Sequence, residues 1–316
     1  MATVFVSGTL PGDAVARLGG AHEVIQHDDG VSSDVFAAHA PRLEALVALI
    51  TDRIDDDLLA KVPKLRLVAN VAVGVDNIDL EACKARGVVV TNTPDVLTDA
   101  TADLAFGLLI AAARRIAEGD RLVRGGQWER WTPSFMLGQR VSRTTLGIVG
   151  MGRIGLAMAR RARGFDMSIL YTQRSRLPES EERAVRATFV PSIDAMIVDA
   201  DFVSIHCPLT SETRHLFDAR RLSRMKEGSI LVNTARGPIV DERALAHALE
   251  HGPLAAAGID VFEDEPQVDP ALVARPNAVL APHIGSADRT TREAMSEMAI
   301  RNVLAVLSGG APITRV

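Results

Sequence analysis

Short β-branched runs alternate along this chain with longer Ala-, Leu- and Arg-rich stretches whose apolar residues recur at helical spacing. Strand-like runs stand at Thr3–Val6, 65–69, 87–91, 146–149, 168–171, 202–206, 229–232, 257–261 and 278–281. Helix-like stretches lie between them, notably over 100–124, 153–164, 241–251 and 288–307, and Asp55–Asp57 read as a helix start, where acids favour the dipole. Such alternation is the pattern of βαβ units, in which parallel strands are covered on both faces by helices. No internal repeat of fixed period accompanies it. The expected fold class is therefore α/β with parallel sheets.

Two places suggest domain boundaries. The segment 91–99 carries a proline and several capping residues ahead of a long apolar helix from Ala100, and a final amphipathic helix begins after 281–286. The expected division is a dinucleotide-binding domain over 100–286 and a discontinuous second domain of 1–99 plus 287–316. Composition narrows the picture further. At 316 residues, 47% hydrophobic and 24% charged, the chain is a globular protein with a sizeable core. Its longest apolar stretch, Leu104–Ala113, is half of what a bilayer requires, so no membrane association is expected. A net charge of −5 argues against a nucleic-acid surface. With no basic-then-apolar leader at the N-terminus and only Cys83 and Cys207, the expectation is a cytoplasmic protein with no disulfide framework and no metal site.

The strongest local signal is Gly150-Met-Gly152-Arg153-Ile154-Gly155, directly after the apolar run 146–149 and directly before helix-favouring sequence. The first glycine allows a tight turn, the second lets the backbone approach a pyrophosphate, and the third permits close helix–strand packing. The pyrophosphate then sits at a helix N-terminus, where open N–H groups favour negative charge. The end of the next strand discriminates between cofactors. An NAD site would place Asp or Glu there for the ribose 2′-hydroxyl, but Thr172, Gln173, Arg174, Ser175 and Arg176 follow instead, with no carboxylate before Glu179. Two guanidinium groups and two hydroxyls suit a 2′-phosphate, so NADP(H) is expected to be preferred, with NAD(H) possible.

Three ionisable residues follow predicted strands in the C-terminal third: Arg236 in Asn233–Asp241, Glu265 in Gly258–Pro266, and His283 in Ala281–Ser286. A doubly wound sheet places its ligand crevice at such strand ends. With these segments, the blocks 71–79, 98–109 and 206–210 and the 29-residue separation of Arg236 from Glu265, the chain resembles the D-isomer-specific 2-hydroxyacid dehydrogenases, most closely the glyoxylate/hydroxypyruvate reductases. The resemblance runs firmly from about Asn70 to Asp288.

That resemblance implies two Rossmann-like doubly wound domains with the active site in the cleft between them. It assigns His283 the part of proton donor, Glu265 that of its carboxylate partner, and Arg236 that of holding the substrate's carboxylate and carbonyl oxygen. Backbone N–H groups of Val73 and Gly74 are expected to receive the carboxylate, with Ser286 beside the histidine. Asp260 resembles the residue that orients the nicotinamide carboxamide. Thr101, Cys207 and Pro208 resemble cofactor-lining positions, as do Thr213, Thr234, Ala235 and Gly285. The chemistry suits these residue types. Imidazole titrates near neutrality and a neighbouring carboxylate favours its charged form, while a guanidinium is a permanently charged planar fork.

The resemblance further implies a small 2-keto or 2-hydroxy acid as substrate and a homodimer formed through the dinucleotide domain, with 100–145 as interface. Trp128, Trp131 and Phe135 fall in a block whose tryptophan, in such reductases, contacts the partner's active site; Phe135 stands at that place here. The alternatives are another 2-hydroxyacid or phosphite dehydrogenase of the same fold, or a dinucleotide-sensing binding protein resembling the C-terminal-binding-protein corepressors. Formate dehydrogenases pair their histidine with glutamine, and Glu265 argues against that branch.

Overall fold

In the computed structural model, which describes residues 1–316, the chain divides into two compact units, Met1–Leu97 with Ser286–Val316, and Thr98–Gly285. The first unit holds five parallel strands: β1 (Thr3–Ser7), β2 (Glu23–His27), β3 (Ala45–Ala48), β4 (Leu67–Asn70) and β5 (Val89–Thr91), ordered β2-β1-β3-β4-β5. Every residue of β1, β3 and β4 is buried, as expected of strands covered on both faces. Phe5, Leu46 and Val68 pack with Ile54 on one face. Val4, Val6, Val47 and Leu67 pack on the other with Ile300 and Val303 of the Arg289–Leu307 helix.

The second unit holds seven parallel strands: β6 (Thr145–Val149), β7 (Ser168–Thr172), β8 (Ala187–Phe189), β9 (Phe202–Ile205), β10 (Ile230–Asn233), β11 (Ala256–Ile259) and β12 (Ala278–Leu280). Their order, β12-β11-β10-β9-β6-β7-β8, reverses direction between β6 and β9. That reversal is the switch point at which a doubly wound sheet opens a ligand crevice. Leu146, Ile148, Phe202 and Val232 face Phe106 and Leu109, while Val149, Val203, Ile205 and Leu231 face Leu245 and Leu249. Each such side chain contributes about 1.5–3 kcal/mol on burial.

The strand-like runs fall within two residues of observed strands, but three strands escaped the pattern. β2 and β8 each stand at one edge of their sheet and carry polar residues, Glu23, Gln26 and His27 in β2 and Thr188 in β8, while Ala45–Ala48 holds a single β-branched residue, Val47. The helix expected over 100–124 is two helices, Thr98–Ala113 and Ile116–Arg124. The break lies at Arg115, which adopts a left-handed conformation (φ 54°) and is held there by bonds to Glu118 (2.7 and 2.8 Å). The first helix lines the core, so close to β11 that a Cβ on Gly258 would stand 2.9 Å from Leu108. The second buries none of its residues. No helix is long and apolar enough to cross a membrane.

Candidate active site

Register aligns the ends of the second sheet. Val149 pairs with both Thr172 and Ile205, Ile205 with Asn233, Asn233 with Ile259, and Ile259 with Leu280. The next residue along each strand is therefore Gly150, Gln173, His206, Thr234, Asp260 or Ala281, all on one rim. Residues scattered over more than a hundred positions of sequence thus line one rim, with the switch point between β6 and β9 within it.

His283 and Glu265 meet on this rim. His283 Nδ1 lies 2.7 Å from Glu265 Oε2. The histidine stands on a left-handed turn (φ 52°) whose N–H donates to the Asp260 carbonyl at 2.8 Å. Glu265 Oε1 accepts the Phe262 N–H at 2.9 Å. Burial alone would raise the Glu265 carboxyl, but the hydrogen bonds from His283 and Phe262, with the charges of His283 and Arg236, hold it below the usual carboxylate range. Glu265 is thus ionised at neutral pH and engages Nδ1, so Nε2 is the ring nitrogen that this pair does not occupy. The backbone before Arg236 is fixed by Asn233, whose amide donates to Arg236 O (2.9 Å) and accepts from the Ala235 N–H (3.0 Å).

The next residue, Gly237, explains how the arginine and glutamate segments stay together. A Cβ there would fall 1.9 Å from the Phe262 carbonyl carbon and oxygen, so the two loops pack backbone against backbone. Gly237 was not among the candidates read from the sequence, although its place between Arg236 and Pro238 was the available signal.

Asp260 is 1% exposed. Its carboxylate oxygens accept the N–H groups of Ile284 (2.7 Å) and Gly285 (2.8 Å), shaping the turn that carries His283. Burial pushes this carboxyl up, against those bonds. A Cβ on Gly285 would meet Asp260 Oδ2 at 3.3 Å and Thr101 at 3.5 Å, so the fold brings these three predicted residues together.

The glycine loop fits a dinucleotide. Gly150 has φ 93°, and a Cβ on it would stand 2.6 Å from the Cys207 nitrogen; the β6 turn and the start of Cys207-Pro208 can approach this closely only with glycine. Its N–H donates to the Thr172 carbonyl at 2.9 Å. A Cβ on Gly155 would collide with the Gly150 carbonyl at 2.3 Å, whereas one on Gly152 would meet nothing within 4 Å. Gly152 precedes the Arg153–Arg163 helix with no side-chain cap. The leading N–H groups of Arg153 and Ile154 are thus offered where an anion would lie. Nearby, the Thr234 hydroxyl is buried without a partner. Thr213 Oγ1 donates to Pro208 O and accepts the Thr210 N–H, both at 2.7 Å, which fixes the turn after Cys207. Burial pushes the Cys207 thiol up to about 11 and His206 down to about 4, leaving both neutral at physiological pH.

The loop after β7 differs from the reading of two available guanidiniums. Arg176 is bound by Nε and Nη2 to Glu182 at 2.8 and 2.7 Å, while Arg174 carries no such bidentate pair and its charge acts on Glu212. The Gln173 amide is likewise engaged within the chain, accepting the Met151 N–H (3.0 Å) and donating to Ser175 O (2.6 Å). It ties the glycine loop to the Arg174 loop.

Glu182 also accepts the Tyr171 hydroxyl at 2.5 Å. The bonds from Arg176 and Tyr171, against the opposing push of burial, lower the Glu182 carboxyl from 4.5 to about 2. A carboxyl lowered in the fold stabilises it fully above its unfolded value, and that contribution is lost as pH falls from there through the folded value. Between pH 4.5 and 2, wild-type Tm should therefore fall more steeply than that of Glu182→Gln; parallel Tm–pH curves would contradict this.

Val73 and Gly74 lie in the first unit, in the loop after β4, where Asn92 and Asn70 side chains hold their carbonyls at 2.8 and 2.9 Å. Ser286 opens the second segment of that unit, just ahead of the Asp288 cap of the Arg289–Leu307 helix.

Residues 106–285 match the model of the NAD-binding domain of D-isomer specific 2-hydroxyacid dehydrogenases. The chain is 45% identical to the glyoxylate reductase of Thermococcus litoralis over 315 residues, 98% of this chain and 95% of that one. It is 46% identical to the glyoxylate reductase of Pyrococcus horikoshii over 99% of its length and 95% of the relative's. Among solved structures it resembles the NADPH-dependent glyoxylate/hydroxypyruvate reductase of Sinorhizobium meliloti in complex with NADP and malonate. That likeness has a TM-score of 0.88 at 34% identity, covering 100% of this chain and 96% of that one. The protein is an NAD(P)-dependent oxidoreductase with two parallel-sheet α/β domains, and it belongs to the D-isomer-specific 2-hydroxyacid dehydrogenase family.

Proposed function

We propose that the enzyme reduces a small 2-keto acid, glyoxylate or hydroxypyruvate, to the 2-hydroxy acid, with NADPH preferred over NADH and His283 as the proton donor. The observation that carries this reading is the 2.7 Å His283–Glu265 pair, beside an arginine whose loop packs against the glutamate's own. The relatives named glyoxylate reductase support the substrate class.

A nicotinamide cofactor, once bound, would supply the hydride; the chain's own residues would bind, orient and exchange the proton. His283 Nε2 gives a proton to the carbonyl oxygen as it gains charge, and Glu265 stabilises the imidazolium beforehand. Arg236 stabilises the oxygen's developing charge with a planar cationic fork. The N–H groups of Val73 and Gly74 are assigned the substrate carboxylate. Gly150, Gly152 and the first turn of the Arg153–Arg163 helix take the pyrophosphate. Where hydroxypyruvate is turned over, chiral chromatography should find D-glycerate as the product; L-glycerate would contradict the reading.

The cofactor preference rests on Arg174 and the absence of a carboxylate at the end of β7, and on the NADP bound by the Sinorhizobium relative. A charge-assisted hydrogen bond contributes about 1.5–3 kcal/mol, or roughly 10- to 100-fold. Arg174→Ala should therefore raise KM for NADPH by that factor and leave KM for NADH nearly unchanged. Equal effects on the two nucleotides would remove Arg174 from the 2′-phosphate site.

Self-association through 100–145 belongs to the same proposal. Ile116, Val123, Trp128, Trp131 and Leu137 are all more than half exposed along this stretch, apolar side chains that a second copy would cover.

A further inference from the structure

The loop Val71–Asn77 is held in an unusual way. Three consecutive peptide carbonyls each accept a hydrogen bond: Ala72 O from the Thr93 N–H at 2.9 Å, Val73 O from Asn92 Nδ2 at 2.8 Å, and Gly74 O from Asn70 Nδ2 at 2.9 Å. The donors come from the ends of the neighbouring strands β4 and β5. In a trans peptide unit the N–H points opposite to the carbonyl. Anchoring these three carbonyls therefore turns the N–H groups of Val73, Gly74 and Val75 the other way, and none of the three donates to another group of the chain. Successive backbone N–H groups left open in this manner form an anion-binding concavity.

We propose that Asn92 and Asn70 are positioning residues that aim the N–H groups of Val73, Gly74 and Val75, three donors, at the substrate carboxylate. The proposal rests on the reading that this loop receives the carboxylate, and adds to it a third donor and the two side chains that set the geometry. Asn70 is fully buried and is itself oriented by Asn77 (3.3 Å), whose amide is fixed on the carbonyls of Leu49 (3.1 Å) and Asp52 (2.9 Å). Asn92 is the better test position. Its backbone is pinned independently, with its N–H donating to Thr314 O (3.2 Å) and its carbonyl accepting the Thr314 hydroxyl (2.6 Å). Substituting its side chain thus removes the bond to Val73 and leaves those two in place.

The test compares wild type, Asn92→Leu, Asn92→Asp and Asn92→Gln as full-length NADP-bound enzyme. Oxalate is titrated and read from the amide signals of Val73, Gly74 and Val75 by transverse-relaxation-optimised NMR. In wild type all three amides should shift with one saturation curve. Asn92→Leu and Asn92→Asp should bind oxalate about 3- to 10-fold more weakly, the range for a lost neutral hydrogen bond, and Asn92→Gln should recover part of the loss. Aspartate keeps the shape of asparagine without the donor, so a space-filling role would be rescued by it and a donor role would not. In kinetics, KM for the keto acid should rise while KM for NADPH stays put. Oxalate affinity in Asn92→Asp equal to wild type would overturn the proposal, as would wild-type amides of Val73–Val75 that do not respond to oxalate. Neither readout needs turnover, so a wild-type enzyme inactive on glyoxylate would count against the reductase reading alone.

Discussion

Replacing His283 with alanine is expected to lower kcat for keto-acid reduction by ~10²–10⁴, the share that a positioned general acid contributes. The loss should appear in kcat with both substrates saturating, while KM for the nucleotide changes little, because the glycine loop and the Arg153–Arg163 helix are untouched. The expectation follows from the environment of the ring. Glu265, held in its ionised form by His283 and the Phe262 N–H against the push of burial, engages Nδ1 at 2.7 Å. The turn carrying the ring is fixed by Asp260 through the N–H groups of Ile284 and Gly285. A ring so tied has one nitrogen available and little freedom to turn it away. A kcat for His283→Ala within a few-fold of wild type would place the proton donor elsewhere.

Gly237→Ala should be the most damaging single methyl group in the second unit. The new carbon would lie 1.9 Å from the Phe262 carbonyl and 2.5 Å from the Glu263 nitrogen, and both obstacles are backbone. The Arg236 and Glu265 segments would have to part. Overpacking typically costs about 1–3 kcal/mol, occasionally more, and a displacement near 1 Å between groups that act together can cost ~10²-fold in rate. The variant should therefore lose stability in urea and about 10²-fold in kcat/KM, with nucleotide binding less affected. Gly20→Ala is the control, since a Cβ there would meet nothing within 4 Å; it should stay within about 0.5 kcal/mol of wild type. A Gly237→Ala enzyme that matches this control would refute the account of how the two loops are joined.

The fold class was legible because parallel strands buried on both faces leave short, mostly apolar runs rich in β-branched residues, as in Thr145–Val149 and Phe202–Ile205. The edge strands β2 and β8 were not, because Glu23, Gln26 and His27 interrupt the apolar pattern of the first and the second is only three residues long, whereas the edge strands β5 and β12 keep apolar runs. Nor was the break at Arg115: neither Gly nor Pro interrupts 108–118, and the left-handed turn depends on the ion pair with Glu118 and on contact with the Leu137 carbonyl. Family membership was legible from ordered blocks, even though Arg236, Glu265 and His283 are each unremarkable alone. What no local pattern could convey is which donors are already in use. Arg176 looks as free as Arg174 until Glu182, six residues on, is seen to occupy it. The role of Asn92 depends on a contact 19 residues away, made only when β4 and β5 lie side by side.

The central claim is that this oxidoreductase reduces a small 2-keto acid with NADPH preferred. Initial rates of absorbance loss at 340 nm, with glyoxylate and hydroxypyruvate each against NADPH and NADH, test it most directly. The account predicts rapid oxidation of NADPH with at least one of the two acids, and a lower kcat/KM with NADH. No turnover of either acid with either nucleotide, by enzyme that still binds NADPH, would contradict it.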